Sequence, residues 1–461
     1  MSDKPLISKN FQRLFGTLGV LAISSFSPTA SALDLLQIYR LAITHDASYL
    51  AAQAAADAGR EALPQALAPL LPSLSVSASG FQNKLDQSSP SALGELITYH
   101  KNYNSSNLSW NLRQPIYRKY QFAQYGQAKA QVEGVEATLD KEGQDLVSRV
   151  AAAYFDALLA EDQLSLVLAQ QATYAEQLKA AQRSLSAGEG TRTDIDEAQA
   201  RYDMTLATEL EARQRVTFAR RQLQVYINQP VTALSPLDEQ QLQLIPPNPI
   251  LLDDWISRGE ETNPELRNLK AQREVVQQQI EKALAGHYPT LDLIAQQSRS
   301  VSENVLAPSS QYTNLQVGLQ LTIPIYGGGG VNSSVREARA NREKIEQQYE
   351  ATRRNLGLQV QKEFQSITEG IARVRALEQA RRSAEQAFYS TQKGVLAGTR
   401  MSIDVLNAEQ QRINVLRDLA QARYQYLTAR IRLLALVGGL NDEEVSVVNG
   451  YLKSANVALS N

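Results

Sequence analysis

Two different periods of hydrophobic residues alternate along the chain. In short stretches such as Leu74–Ser77 and Leu319–Leu321, apolar and polar residues alternate, which is typical of β-strands with one apolar and one polar face. In the longer stretches between them, apolar residues recur every three or four positions, as in helices that pack side by side. The pattern therefore predicts two β-hairpins within a mainly helical chain.

The chain contains an internal repeat. The matched segments are Leu71–Leu74 with Tyr288–Leu291, Gln114–Tyr117 with Ile323–Tyr326, Gly188 with Gly398, and Asp194 with Asp404. Because only two long repeats are present, we interpret them as a pair of equivalent halves and not as a solenoid. The first half is predicted to span 33–245 and the second 246–440, followed by a C-terminal tail at 441–461.

Each half is predicted to contain a first helix, a hairpin, a long helix and a return helix. In the first half the hairpin is predicted at about 73–116, the long helix at 118–186 and the return helix at 194–228. In the second half the same elements are predicted at about 290–325, 331–396 and 403–437. A heptad seam runs from Leu146 to Leu185. The predicted long helix 118–186 measures on the order of 100 Å at 1.5 Å per residue. Polar, turn-forming stretches near 83–102 and 299–311 are interpreted as the hairpin loops.

The two faces of the predicted strands differ in chemistry. We expect one face to line water and the other to face lipid. The polar positions are Ser75, Ser77, Ser109, Asn111, Gln316 and Gln320, and the apolar ones are Leu74, Val76, Trp110, Leu112, Leu319 and Leu321. Four strands cannot close into a barrel, and an open sheet edge is not tolerated in lipid, so closure requires several chains. Strand number alone leaves two chains with eight strands and three with twelve both open, although eight strands are roughly filled by their own side chains.

The N-terminus has the features of a secretory signal. Basic residues precede the apolar run Leu14–Ile23, and Ala30–Ala32 has the A-x-A form of a cleavage site. Residues 1–32 are therefore predicted to be a signal peptide, with Leu33 as the mature N-terminus. The alternative is an uncleaved anchor or a buried helix, although the run is shorter than the roughly 20 residues that span a bilayer.

Composition excludes several classes of protein. The 461 residues are 43% hydrophobic and 20% charged, which fits an ordered protein. The net charge of -2 gives no basic bias toward nucleic acid. There is no cysteine, and the three histidines lack ligand spacing. The run Gly327–Gly330 lacks the G-K-[ST] ending of a phosphate loop. We therefore expect no metal, no cofactor and no enzymatic activity.

The chain resembles the outer-membrane factor family of efflux and type I secretion channels in three features. They are the duplicated layout, the prolines that flank each hairpin, and the segment Ala397–Ala408 with its first-half partner Ala187–Ile195. The resemblance implies an α+β membrane protein. Three chains would form a twelve-stranded outer-membrane β-barrel, four strands per chain, continued by a long periplasmic α-helical barrel of coiled-coil helices.

The implied function is that of an exit duct. Such a homotrimer would stand in the outer membrane, extend into the periplasm, and work with a periplasmic adaptor (membrane fusion) protein and an inner-membrane pump of the ABC, RND or MFS type. It would pass small-molecule drugs or secreted proteins to the exterior.

The resemblance also assigns roles to residues. Asp404 would form an acidic ring at the pore constriction, where Asn407 replaces the second aspartate of well-known members. Thr193, Asp194 and Arg400 would hold the gate shut, and Gly188 and Gly398 would form the tip that adaptors contact. From the residues alone, Asp194 is better explained as a helix N-cap, Thr193 could serve in the same way, and Arg400 could be a solvated turn residue.

Two other classes remain as alternatives. A soluble periplasmic coiled-coil adaptor or scaffold of an export system would share the helical pattern, but adaptors usually have one helical hairpin with compact β-domains. A secreted hydrolase would need a nucleophile and a base, and close acidic pairs such as Asp194 with Asp196 fit helix starts better.

Overall fold

The computed structural model describes residues 32–302 and 310–453. All but the last residue of the predicted signal peptide lies outside the described residues. The helices are α1 (Leu35–His45), α2 (Ala47–Arg60), α3 (Ala62–Leu67), α4 (Lys119–Ser186), α5 (Arg192–Ile227), α6 (Leu252–Thr262), α7 (Pro264–Leu284), α8 (Gly330–Leu396), α9 (Ser402–Leu436) and α10 (Asp442–Asn449). The strands are β1 (Ser73–Pro90), β2 (Leu96–Arg118), β3 (Thr290–Ser302) and β4 (Ser310–Thr322).

The four strands form one antiparallel sheet in the order β1-β2-β3-β4. Within residues 32–302 and 310–453, the predicted four strands per chain are confirmed. Directly paired residues lie on the same face of an antiparallel sheet, and the register aligns Asn111 with Gln296 and Gln296 with Gln316. On this polar face Gln316 Nε2 donates to Gln296 Oε1 at 2.7 Å. The opposite face is apolar and exposed, with Leu74 at 64% and Leu319 at 66%.

The first hairpin is longer than predicted. β1 continues to Pro90 and β2 begins at Leu96, so the loop expected at 83–102 is wrong and only 91–95 connects the strands. The alternation disappears in this outer part because both faces carry polar residues, as at the Lys84 and Asn102 pair. Backbone pairing continues without an apolar face, and the 18 residues of β1 extend about 60 Å at ~3.4 Å per residue.

Below the sheet the chain forms two long helical pairs. α4 has 68 residues and α8 has 67, each about 100 Å at 1.5 Å per residue. α5 packs on α4, α4 on α9 and α9 on α8, so α5 and α8 are the outer members of this layer. No helix in the described parts of the chain is long and apolar enough to cross a membrane.

The main hydrophobic core lies halfway along the long helices. Tyr154 and Phe155 of α4 are fully buried, and the Phe155 ring stacks on Tyr424 of α9 with centroids 5.9 Å apart. Around this level wraps a collar, which we define as α1, the segment 229–251 and α10. The Tyr154 hydroxyl donates to the Ser235 carbonyl of the collar at 2.8 Å. The collar and the paired helices therefore share one core.

Candidate functional site

The ends of the helical pairs opposite the sheet form a tip, which we define as residues 170–202 and 397–414. Both connections end their long helix in the same way. Gly188 and Gly398 adopt φ of 80° and 73°, the left-handed region that glycine enters without strain. Glu189 N–H bonds to Ser184 O and Thr399 N–H to Gly394 O, both at 2.9 Å, as in a Schellman motif. The two glycines are therefore the sharp turning points of the tip.

Asp194 closes a capping box at the start of α5. Its carboxylate accepts from Thr191 N at 3.0 Å and from Thr191 Oγ1 at 2.7 Å, while Thr191 Oγ1 accepts from Asp194 N. The N-cap is thus Thr191, so the expectation that Asp194 or Thr193 is the N-cap is wrong. The helix begins two residues earlier because Thr191 has the extended backbone that an N-cap requires. Thr193 is exposed on the first turn.

Arg400 lies in the second turn. Its backbone N–H donates to Gly394 O at 3.2 Å. Its side-chain stem packs so closely on Gly394 that a Cβ atom added to this glycine would lie 2.8 Å from Arg400 Cγ. In residues 32–302 and 310–453, Arg400 forms no hydrogen bond or ion pair with Thr193 or Asp194. The three residues of the predicted gate network are therefore not joined within one chain.

Asp404 and Asn407 are one helical turn apart at the start of α9. The Asp404 carboxylate accepts from Met401 N at 3.1 Å, an interaction that the positive end of a helix favours. Asn407 Oδ1 accepts from Arg201 Nη2 of α5 at 2.8 Å. Sequence reasoning missed Arg201, since no local motif links it to a residue 206 positions away.

The tip has a small apolar cluster of its own. Tyr174, Ala198 and Leu406 are buried together, one from each of α4, α5 and α9. Above them, Gln170 Nε2 donates to Gln410 Oε1 at 3.0 Å, and the Tyr174 hydroxyl donates to the same atom at 3.3 Å. Three buried side chains and a few polar bonds therefore hold three helices together here.

An ion pair within α9, between Glu409 and Arg412, lies on the next turn of this helix and positions Arg412 against α8. Glu409 is fully buried and accepts two bonds from Arg412, at 2.7 and 2.8 Å. This hydrogen bonding raises the pKa of Arg412. The guanidinium also lies 5.2 Å from the centre of the Phe388 ring on α8, a cation–π distance. The pairing of α8 with α9 therefore begins with a fixed positive group.

The base of the sheet carries a second buried charge cluster, which sequence reasoning also missed. Asp292 of β3 is 2% exposed and accepts from Arg113 Nη2 at 2.6 Å and from Arg118 Nε at 2.7 Å. Both arginines belong to β2, so the cluster ties the strands of the two halves. A charged residue between Leu291 and Leu293 was the available signal.

The middle of the long helices buries ionisable groups as well. The Tyr424 hydroxyl donates to Asp162 Oδ2 at 2.7 Å. Burial raises the pKa of the Asp162 carboxyl, although the bond from Tyr424 opposes this. Arg423 pairs with Glu239 at 2.7 Å and with Glu378 at 3.3 Å. Across the described residues, no group of three or more acidic, histidine or cysteine side chains could hold a metal ion.

Comparison with known proteins covers nearly the whole chain. The family described as "Outer membrane efflux protein" matches residues 38–229 and 255–439. The chain is similar to the alkaline protease secretion protein AprF of Pseudomonas aeruginosa, with 32% identity over 91% of this chain and 87% of that protein. It is also similar to the proteases secretion protein PrtF of Dickeya chrysanthemi, with 32% identity over 95% of each. Among solved structures, the outer membrane protein VceC of Vibrio cholerae has a TM-score of 0.76, 18% identity, and coverage of 88% of this chain and 96% of that one.

Proposed function

The chain belongs to the outer membrane efflux protein family, and we propose that three copies close into one channel with a twelve-stranded barrel and a helical barrel below it. The protein is an outer-membrane exit duct of export systems and extends into the periplasm. The family consists of transport channels and is not an enzyme family. The proposed assembly rests first on the open sheet.

The sheet leaves β1 and β4 each with one unpaired edge. In lipid, unpaired backbone groups cost several kcal/mol each, so these edges must find partners. The exposed apolar face, on which Leu74, Trp110 and Leu319 lie, fits lipid, while the polar face fits a water-filled lumen. β1 of one copy pairs with β4 of the next, and twelve strands leave room for a duct where eight do not.

The helical layer offers a matching pair of outer members. On α5, Leu210, Phe218 and Val225 are each exposed by 66% or more. Their spacing of eight and seven residues puts them on one helix face. The neighbour that covers this apolar stripe is α8 of the next copy, because α8 is the outer member on the other side of the layer. One ring of copies would therefore pair the open edges of the sheet and also cover the exposed apolar stripe of α5.

The absence of cysteine allows this ring to be tested directly. Ser77→Cys in β1 is combined in turn with Asn314→Cys, Gln316→Cys and Gly318→Cys in β4, since these positions share the polar face. Within one chain two strands separate the pair, about 14 Å in all, too far for a disulfide. We expect at least one combination to give a covalent ladder that ends at three chains. Monomers only, or a ladder ending at two, would contradict the trimer.

At the tip we propose that the gate is held between copies. Asp404 lines the constriction with Asn407 one turn away, and Gly188 and Gly398 contact the adaptor. Thr193 and Asp194 of one copy meet Arg400 of another, which is consistent with the lack of contact between them inside one chain. Arg400→Ser and Asp194→Ala are then expected to raise the conductance of purified trimers in planar bilayers.

Asp194→Ala also removes a capping box, so Thr191→Ala is its matched control. Thr191→Ala breaks the same cap and keeps the carboxylate. If Thr191→Ala raises conductance as much as Asp194→Ala, the effect comes from the helix end and the gate role of Asp194 is wrong. If Arg400→Ser leaves conductance unchanged, the interaction between copies is wrong.

For the cargo we infer a secreted protein. The names of the two relatives at 32% identity both describe protease secretion. The duct would receive the protein from an inner-membrane pump through a periplasmic adaptor. A deletion strain is expected to lose one or more extracellular proteins and to regain them with the gene on a plasmid. Normal secretion combined with increased drug sensitivity would favour small molecules as cargo instead.

A further inference from the structure

We propose that Arg201 is both a latch and a charge-compensating residue at the pore entrance. Through its bond to Asn407 it holds α5 against α9, and its positive charge offsets that of Asp404, so the entrance attracts cations only weakly. The inference rests on the proposed function, since it places Asp404 at the constriction. It assigns a selectivity role to a residue of the first half of the chain.

The position of Arg201 is fixed by what lies beneath it. Ala198, one turn earlier on α5, is fully buried against Leu406, the neighbour of Asn407. On the adjoining turn of α9, Gln410 is bonded to Gln170 and Tyr174 of α4. The 2.8 Å bond between Arg201 and Asn407 therefore closes the exposed end of a packed contact among α4, α5 and α9.

The charge of Arg201 acts on Asp404 through a short distance. Residues three apart on a helix are neighbours on one face, so Asp404 lies on the same face of α9 as Asn407, which holds the guanidinium. A positive charge beside the Asp404 carboxylate weakens the binding of a cation there by roughly two- to threefold in water for each Arg201 and Asp404 pair. Three copies of the pair act together around one constriction.

The amide at position 407 is what leaves Arg201 available for this role. An amide oxygen accepts the bond without neutralising the guanidinium. A carboxylate at the same position would form an ion pair with Arg201 and cancel its charge. The pair Arg201 with Asn407 thus gives a closed contact and a positive group together, where two acidic residues would give a strong cation site.

Six proteins separate these roles in planar bilayers, with Mg²⁺ added on the side of the helical tip. The variants are Arg201→Gln, Arg201→Lys, Asn407→Asp and the double variant Arg201→Gln with Asn407→Asp, compared with the unchanged protein. Arg221→Gln is the matched control, because it removes the same charge from α5 but its bond to Gln224 stays within that helix.

We expect Arg201→Gln to bind blocking Mg²⁺ about threefold to tenfold more tightly and to conduct more than the unchanged protein. Arg201→Lys keeps the charge and loses the planar donor, so its conductance rises while its block stays weak. Asn407→Asp is also blocked more tightly than the unchanged protein, because the new carboxylate pairs with Arg201 and leaves Asp404 uncompensated, and the double variant shows the tightest block. Arg221→Gln behaves like the unchanged protein.

Three outcomes would contradict the proposal, and each identifies a different part of it as wrong. If Arg201→Gln is blocked no more tightly than Arg221→Gln, the charge role is wrong. If Arg201→Lys conducts no more than the unchanged protein, the latch is wrong. A purified protein that conducts no ions in any form would instead overturn the channel itself, and the proposal with it.

Discussion

The middle of the long helices and their tip are held together by different means. At the level of the collar, large side chains such as Tyr154, Phe155 and Leu158 are fully buried in one continuous core. At the tip the buried cluster has three members, and hydrogen bonds between exposed or half-buried polar groups do most of the joining. The same pair of helices is therefore closely packed at one level and loosely held at another.

This difference locates the movable part of the molecule. Regions with few buried apolar contacts open at low free-energy cost, whereas a continuous core opens only with global unfolding. A polar bond at the tip can exchange for water, but a buried ring in the middle cannot. We infer that the tip changes conformation while the collar keeps the helices in register.

The largest expected effect comes from a matched pair of leucine substitutions. Leu158→Ala in the middle removes a side chain from the main core and is expected to lower the free energy of unfolding by about 2–5 kcal/mol. The loss expected for Leu406→Ala at the tip lies at or below the low end of that range, because the small cluster around Leu406 can close over the missing side chain. Thermal unfolding in detergent measures both. Equal losses at the two sites would contradict the comparison.

A smaller effect is expected from Tyr174→Phe. The change keeps the ring in the tip cluster and removes the hydroxyl that meets Gln170 and Gln410, at a cost of about 1 kcal/mol. Hydrogen exchange measured by mass spectrometry is expected to speed up at 170–202 and 403–414 and to stay unchanged around Tyr154. Faster exchange at the collar instead would mean that the two levels are not independent.

The smallest effect concerns pH and the middle of the helices. Because burial raises the pKa of the Asp162 carboxyl, the folded protein holds this proton more tightly than the unfolded chain does. The stability contributed by the site is therefore highest at acid pH and is lost as the pH rises through the folded pKa. Asp162→Asn keeps an acceptor for Tyr424 and carries no charge.

We expect Asp162→Asn to unfold at a higher temperature than the unchanged protein at neutral pH, and the difference to shrink on acidification. Thermal unfolding followed from about pH 4 to pH 8 checks this. A variant that is less stable at neutral pH would mean that the ionised Asp162 is stabilising and that the attraction of Arg423 outweighs burial.

Much of the fold follows from local pattern. The alternation of apolar and polar residues predicts the strands, because a sheet between lipid and water needs two different faces. The heptad seam from Leu146 predicts the long helix, because two packed helices bury a repeated apolar stripe. The helix ends at Gly188 and Gly398 follow from the conformational freedom of glycine. The outer part of the first hairpin was misread as a loop because its two faces no longer differ.

The contacts of the site depend on distant parts of the chain. Asp404 and Asn407 are predicted as site residues from the resemblance of a local segment, but Arg201 meets Asn407 only after α4, α5 and α9 have packed. Asp292 likewise meets Arg113 and Arg118 only after the two halves have paired their strands. The N-cap of α5 is Thr191 and not Asp194, because Thr191 has the extended backbone at the start of the helix.

We propose that copies of this chain enclose a water-filled passage, and the current carried by the purified protein across a planar lipid bilayer tests this most directly. We predict discrete, uniform conductance steps from the unchanged protein and larger steps from Arg400→Ser. A detergent-purified protein that inserts without carrying current, in both forms, would contradict the claim.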